Sequence, residues 1–169
     1  MGDLFHKNVI WETHFEIFET MIDNPQHTYL FLTKRPKRMK EVFKIFDLDA
    51  IKNLWIGVTA ENQKRANERI PILLSIPAKV HFVSIEPMLD VIDLTGEGYI
   101  PVHMIGGVEK ETFLDWVICG PETGPGRREC KPEWIENLYK QCKEANIPFF
   151  DKRKTGWLAR EFPIRSPQK

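Results

Sequence analysis

Carboxylates, cations and hydroxyls recur in this chain at equivalent points, each at the end of an apolar run. LFLTKR ends in Thr33, Lys34 and Arg35. WIGVTAE carries Thr59 and Glu61, and HFVSIE carries Ser84 and Glu86. WVICGPE leads to Glu122 and Thr123, and IPFFDK ends in Asp151 and Lys152. Three carboxylates brought into one cleft repel one another unless a cation or a metal joins them, or their pKa values rise. Lys34, Arg35 and Lys152 supply such cations. A ring of this kind could bind a zwitterionic or polar small molecule. The plainer alternative is an ion-pair network that closes the rim of the fold. The candidate ligand-binding set is therefore Lys34, Arg35, Thr59, Glu61, Ser84, Glu86, Glu122 and Lys152. No catalytic residue is singled out, and no metal ligand.

Two further segments bear on chemistry. Thr33-Lys34-Arg35-Pro36-Lys37-Arg38 is the densest basic stretch. At a helix start, main-chain N–H groups and Arg35 could hold a phosphate. Lysines and arginines are mildly unfavourable at that end of the helix dipole, so an anionic partner would relieve them. Gly120 to Gly126, GPETGPG, is a rigid glycine-rich turn with Arg127 and Arg128 directly after it. It lacks the GxGxxG and GxxxxGK[ST] spacings, so neither dinucleotide nor triphosphate binding follows. No HExxH pair and no GxSxG elbow occur. Cys119, Cys130 and Cys142 are odd in number and widely spaced. They read as reduced thiols, two of them buried, because a metal or cluster site calls for close pairs such as CxxC.

The apolar runs read as buried parallel strands, apolar almost throughout because such a sheet is covered on both faces. Their carboxyl ends are where this architecture gathers binding groups. Helical periodicity falls between them. Val9 to Asp23 predicts a helix with Trp11, Phe15, Phe18 and Ile22 inward, stopped by Asn24-Pro25. Pro36 opens a second helix with Met39, Val42, Phe43 and Phe46 as its stripe. Asn62 caps a third over Gln63 to Ser75, with Ala66, Ile70, Leu73 and Leu74 inward and a kink or break expected at Pro71. Pro132 begins a fourth, along which Trp134, Leu138, Tyr139 and Cys142 align. Strand alternating with helix predicts an α/β fold. Five or six strands are too few for a closed barrel, so the expectation is a parallel, TIM-like partial (β/α) barrel or open sheet. One domain over 1–157 is expected, with an inserted loop at 94–114 and a tail at 158–169.

Composition narrows the partners. The chain has 169 residues, with 24 Lys plus Arg against 24 Asp plus Glu. A formal net charge of zero removes any global argument for nucleic-acid binding and leaves only a local basic patch. No apolar stretch approaches the roughly 20 residues that span a bilayer. No signal-peptide core stands at the start. A cytoplasmic protein without a membrane partner is expected, with an unidentified small molecule as ligand. A homodimer covering the exposed sheet edge is a further expectation.

NPQHTYLFLTKRPKRM, IPAKVHFVSIEPML, DWVICGPETGPGRREC and IPFFDK, taken in order, resemble the signature segments of a family widespread in bacteriophages and prophages, whose function is undefined. That family is similar to radical S-adenosylmethionine proteins with a partial (β/α) barrel. The resemblance spans about Gly2 to Lys152. It implies that Lys34, Arg35, Glu61, Glu86 and Glu122 surround a pocket for S-adenosylmethionine or substrate. It also implies a departure. Full-length members carry a leading strand and a cysteine-rich loop that would ligate an iron–sulfur cluster. Here GDLFH resembles the end of their second strand. No cofactor is therefore expected in this chain alone. A cluster and S-adenosylmethionine enter only if the leading segment is supplied. The alternative is a non-catalytic phage interaction module that contacts nucleic acid through Arg35, Lys37, Arg38, Arg127, Arg128 and Lys152.

Overall fold

The computed structural model describes residues 2–46, 51, 53–101, 112–153 and 161–163. In chain order the elements are α1 (Trp11–Asp23), β1 (Tyr29–Thr33), α2 (Pro36–Phe43), β2 (Leu54–Thr59), α3 (Gln63–Leu74), β3 (Val80–Ile85), β4 (Trp116–Cys119), α4 (Pro132–Glu144) and β5 (Phe149–Asp151). The five strands form one sheet in the order β1-β2-β3-β4-β5, and every pairing is parallel. Most of the expected inserted loop, 102–111, lies outside the described residues, as do 158–160 and 164–169 of the expected tail. Glu161 is tied in: its N–H donates to the Phe149 carbonyl at 2.8 Å, and its own carbonyl accepts from Trp116 Nε1 at 2.9 Å.

Strictly sequential strand order has a consequence. Right-handed crossovers that never reverse direction leave all their helices on one side. Phe18 and Met21 of α1, Met39 and Val42 of α2, Ile70 and Leu73 of α3, and Leu138 and Cys142 of α4 share one core with the sheet face that carries Phe31, Ile56, Val83, Val117 and Phe149. The other face, helix-free among the described residues, holds a smaller cluster of Trp55, Val80, Phe82, Trp116 and Ile118, with Phe150 against it. The expectation of helices over both faces is thus corrected. The strands are apolar on both faces because the second is the inside of a partial TIM-like barrel, packed side chain against side chain. Aromatic edges lock that inner layer: Trp116 meets Phe82 at 5.6 Å and Trp55 at 6.0 Å between ring centroids. Such pairs add about 0.5–1.5 kcal/mol each beyond burial. Only β1 departs from the pattern, since Leu30 and Leu32 on its inner face are 47% and 44% exposed.

Two helix details differ from expectation. In α1 the buried side chains are His14, Phe18 and Met21, while Phe15 and Ile22 are exposed. Both sets share Phe18 and both fit a helical face, so periodicity could not separate them. Packing does: Met21 is sealed in the core and His14 lies against the Phe5 ring at 6.2 Å, whereas Phe15 and Ile22 stay exposed although Phe15 reaches Phe46 at 5.0 Å. In α3 the helix continues through Pro71 to Leu74 rather than breaking. A proline inside a helix costs about 3 kcal/mol. Burying Ile70 and Leu73 completely returns about 1.5–3 kcal/mol each, which offsets it.

Candidate functional site at the carboxyl ends of the strands

Side chains alternate along a strand with period two, so the inner face can be followed upward from the aromatic layer. The parallel registers pair Thr59 with Ser84, Ser84 with Ile118, and Ile118 with Phe150. Extending β1 by one residue adds Lys34 beside Thr59. Two residues further on, the same registers align Glu61, Glu86, Gly120 and Lys152. Lys34, Thr59, Glu61, Ser84, Glu86 and Lys152 therefore share one mouth. Strands stand about 4.8 Å apart, so neighbours across these rows lie within reach of a single small ligand.

The charges of the mouth are paired. Lys34 Nζ lies 2.5 Å from Glu61 Oε1, and Arg69 Nη1 lies 2.9 Å from Glu61 Oε2. Arg69 also donates to the Thr59 carbonyl at 2.6 Å. Burial pushes the Glu61 carboxyl up. The hydrogen bond from Lys34 and the charges of Arg69 and Lys34 outweigh it, so Glu61 stays below the usual carboxylate range. Lys152 Nζ donates to Glu86 Oε2 at 2.6 Å. This second pair crosses above Gly120. A Cβ there would stand 3.0 Å from Lys152 Cβ and 3.4 Å from Glu86 Oε1, so the absent side chain is what lets the two meet.

Beneath these pairs are two hydroxyls. Thr59 is 6% and Ser84 2% exposed. Among the described residues neither hydroxyl has a hydrogen-bond partner, and neither is sealed from solvent. A buried polar group without a partner costs about 1–3 kcal/mol, so buried hydroxyls are normally bonded. Two of them side by side, under carboxylates and ammonium groups, make a set of side chains that can donate, accept and neutralise charge of either sign.

Two members of the sequence-derived set point elsewhere. Arg35 takes the opposite parity and pairs with Asp3. Thr33 Oγ1 donates to Asp3 at 2.8 Å and accepts from the Arg35 N–H at 2.9 Å, which pins the leading segment to the end of β1. Burial pushes Asp3 up, and the bonds from Thr33, the Phe5 N–H and Arg35 bring it below the usual range. Glu122 folds onto its own loop. It accepts from the Arg128 main-chain N–H at 2.8 Å and from Nε and Nη2 of that side chain at 2.9 and 2.6 Å. These bonds hold its pKa down at about 2. The GPETGPG turn is closed by this contact and by positive φ at Gly124 and Gly126. Arg69 enters the site without having been singled out in the sequence, and Gly120 stands out there only as the first residue of the glycine-rich turn. The signal for Arg69 was its place on the helix that follows β2 after the Asn62 cap, whose side chain accepts from the Arg65 N–H.

The chain belongs to a protein family of unknown function, DUF5131, whose model matches residues 1–169. Searches of the curated proteins and of the solved structures found no match. Family membership bears out the uncharacterised family alone; it shows neither a bacteriophage association nor a relation to S-adenosylmethionine enzymes, and it carries no activity with it. Of the three thiols of this DUF5131 chain, Cys119 and Cys142 are buried and Cys130 is half-buried. Burial pushes the Cys119 thiol well up, and it donates to Met88 Sδ at 3.6 Å. Burial also pushes Cys142 up to about 12. Among the described residues no three His, Cys, Asp or Glu side chains group as metal ligands, and no helix is long and apolar enough to cross a membrane.

Proposed function

We propose that the mouth of the partial barrel binds a small zwitterionic molecule, and that the domain derives from a radical S-adenosylmethionine-like enzyme barrel. The observation that carries the binding site is the pair of unpartnered, nearly buried hydroxyls of Thr59 and Ser84 below two ion pairs of opposite polarity. A ligand amino group suits Glu61 and Glu86, and a ligand carboxylate suits Lys34 and Lys152, once the existing pairs open to share their charges. The hydroxyls would then bond to the ligand in place of solvent. Descent from an S-adenosylmethionine barrel and a bacteriophage setting belong to the same proposal. They rest on the motif resemblance, which makes S-adenosylmethionine the first ligand to try.

Thermal-shift and calorimetric titrations with S-adenosylmethionine and with simple amino acids test the site. A saturable stabilisation is expected, because a ligand at 100 times its Kd raises stability by about 2.7 kcal/mol. Ser84→Ala and Thr59→Val should fold normally, having lost no protein hydrogen bond, yet bind weakly. No response at millimolar ligand, or unaltered binding by both variants, would remove this reading.

A further inference from the structure

A concave surface adjoins the mouth, sharing Lys34 and Arg69 with it, between the leading segment, the β1–α2 turn, α2 and α3. It encloses about 660 Å³. The β1–α2 turn contributes Lys34 and Arg35, and the first turn of α2 contributes Lys37 and Arg38. α3 adds Arg65 and Arg69, one helical turn apart, and the leading segment adds Lys7. Four carboxylates answer these seven cations: Asp3 on Arg35, Glu41 on Arg38, Glu68 on Arg65, and Glu61 on both Lys34 and Arg69. A surplus of three positive charges remains in a chain whose net charge is zero. Lys7 and Lys37 have no carboxylate partner among the described residues.

The arrangement is organised rather than scattered. Arg38 lies 4.4 Å over the Trp11 ring and 3.2 Å from Glu41, which hold its guanidinium in place. Arg65 is held by Glu68 at 2.6 Å. α2 begins without a side-chain cap, because its N-cap residue, Arg35, carries no hydrogen-bond acceptor. Its positive dipole end therefore adds to the field of the groove.

We propose that this groove binds the phosphate backbone of a single-stranded nucleic acid. Three uncompensated charges call for a ligand with several phosphates in series, because one phosphate would leave most of the excess unmet. Shape selects the single strand. Packed helices stand 8–10 Å apart, and a duplex about 20 Å wide cannot enter a cleft between two of them. Arginine forks suit phosphate oxygens, and lysines act as point charges on the same backbone. Phosphate contacts of this kind carry no sequence information, so binding should be indifferent to sequence.

Fluorescence anisotropy with labelled 20-nucleotide DNA and RNA single strands tests the proposal. Release of counterions gives a slope of about −0.7 per neutralised phosphate, so three contacts predict about −2 in log K against log salt. Raising salt from 50 to 200 mM should then weaken binding about twentyfold. The double variant K7Q/K37Q removes the two unpaired lysines, both exposed, and should fold normally. Its affinity should fall by only about threefold over the same salt range. Ser84→Ala, which disables the mouth, should bind the strand as the native protein does, so this test and the small-molecule test fail separately. Absence of binding at 50 mM salt, an unchanged salt slope in K7Q/K37Q, or binding of inorganic triphosphate without binding of the strands would each overturn the proposal.

Discussion

Gly57→Ala probes the floor on which the mouth is built. Gly57 lies on the inner face of β2, in register with Leu32 and Phe82. The Phe82 ring fills the space a side chain would occupy. A Cβ at position 57 would stand 2.4 Å from Phe82 Cε2 and 2.6 Å from both Cδ2 and Cζ. The ring cannot simply withdraw, because it is almost fully buried and packs on Trp116 at 5.6 Å. Forcing one extra methyl into such a layer costs about 1–3 kcal/mol. For a chain of this length 1 kcal/mol is about 2–4 °C, so a loss of about 2 kcal/mol should lower Tm by about 4–8 °C. A double-mutant cycle isolates the cause. Phe82→Val removes every ring atom that clashes, at its own cost of about 2–4 kcal/mol. In that background Gly57→Ala should be harmless, or stabilising by about 0.5–1 kcal/mol, because glycine weakens a strand. The coupling should appear in urea midpoints at constant m-value. Equal destabilisation by Gly57→Ala in both backgrounds would refute the account of the inner layer.

Acid should weaken the fold through Asp3 and Glu61, whose carboxyls sit below their ordinary values in the folded chain. A depressed folded value means stability that is complete above the ordinary carboxylate pKa and is lost as pH falls through the folded one. The urea midpoint should therefore hold from pH 7 to about 5 and drop below about 4, and Asp3→Asn with Glu61→Gln should flatten that drop. Thr33→Val strands the Arg35 N–H and takes a donor from Asp3, so a loss of about 1–2 kcal/mol is expected in urea denaturation. Gly120→Ala should separate Lys152 from Glu86 while costing less than about 1 kcal/mol, since a partly exposed pair contributes little to stability. Its effect should appear instead as weakened ligand binding at the mouth, read by calorimetry.

The order of elements, the parallel sheet and the polar groups at its carboxyl ends were legible in the amino-acid sequence. Apolar runs such as HFVSIE and WVICGPE cannot be satisfied except as buried strands, and Pro36, Asn62 and Pro132 mark helix starts by chemistry that acts within one turn. Alternation along each strand also decides which residues share a face, so Lys34, Glu61, Glu86 and Lys152 follow from Leu32, Thr59, Ser84 and Phe150 by counting twos. Which partner each charge takes was not legible. Glu122 has the same place after its strand as Glu61 and Glu86, yet Arg128 captures it through a turn that depends on positive φ at Gly124 and Gly126. Arg35 neighbours Lys34 but turns to Asp3, 32 positions earlier in the chain. The inward face of α1 was equally beyond periodicity, because two stripes through Phe18 satisfy it and only the assembled core, which buries His14 and Met21 and leaves Phe15 and Ile22 exposed, chooses between them. Local chemistry and repeat length are properties of the chain. Ion pairing and core contacts depend on distances between segments, and those exist only once the sheet has curled and its helices have settled on one side.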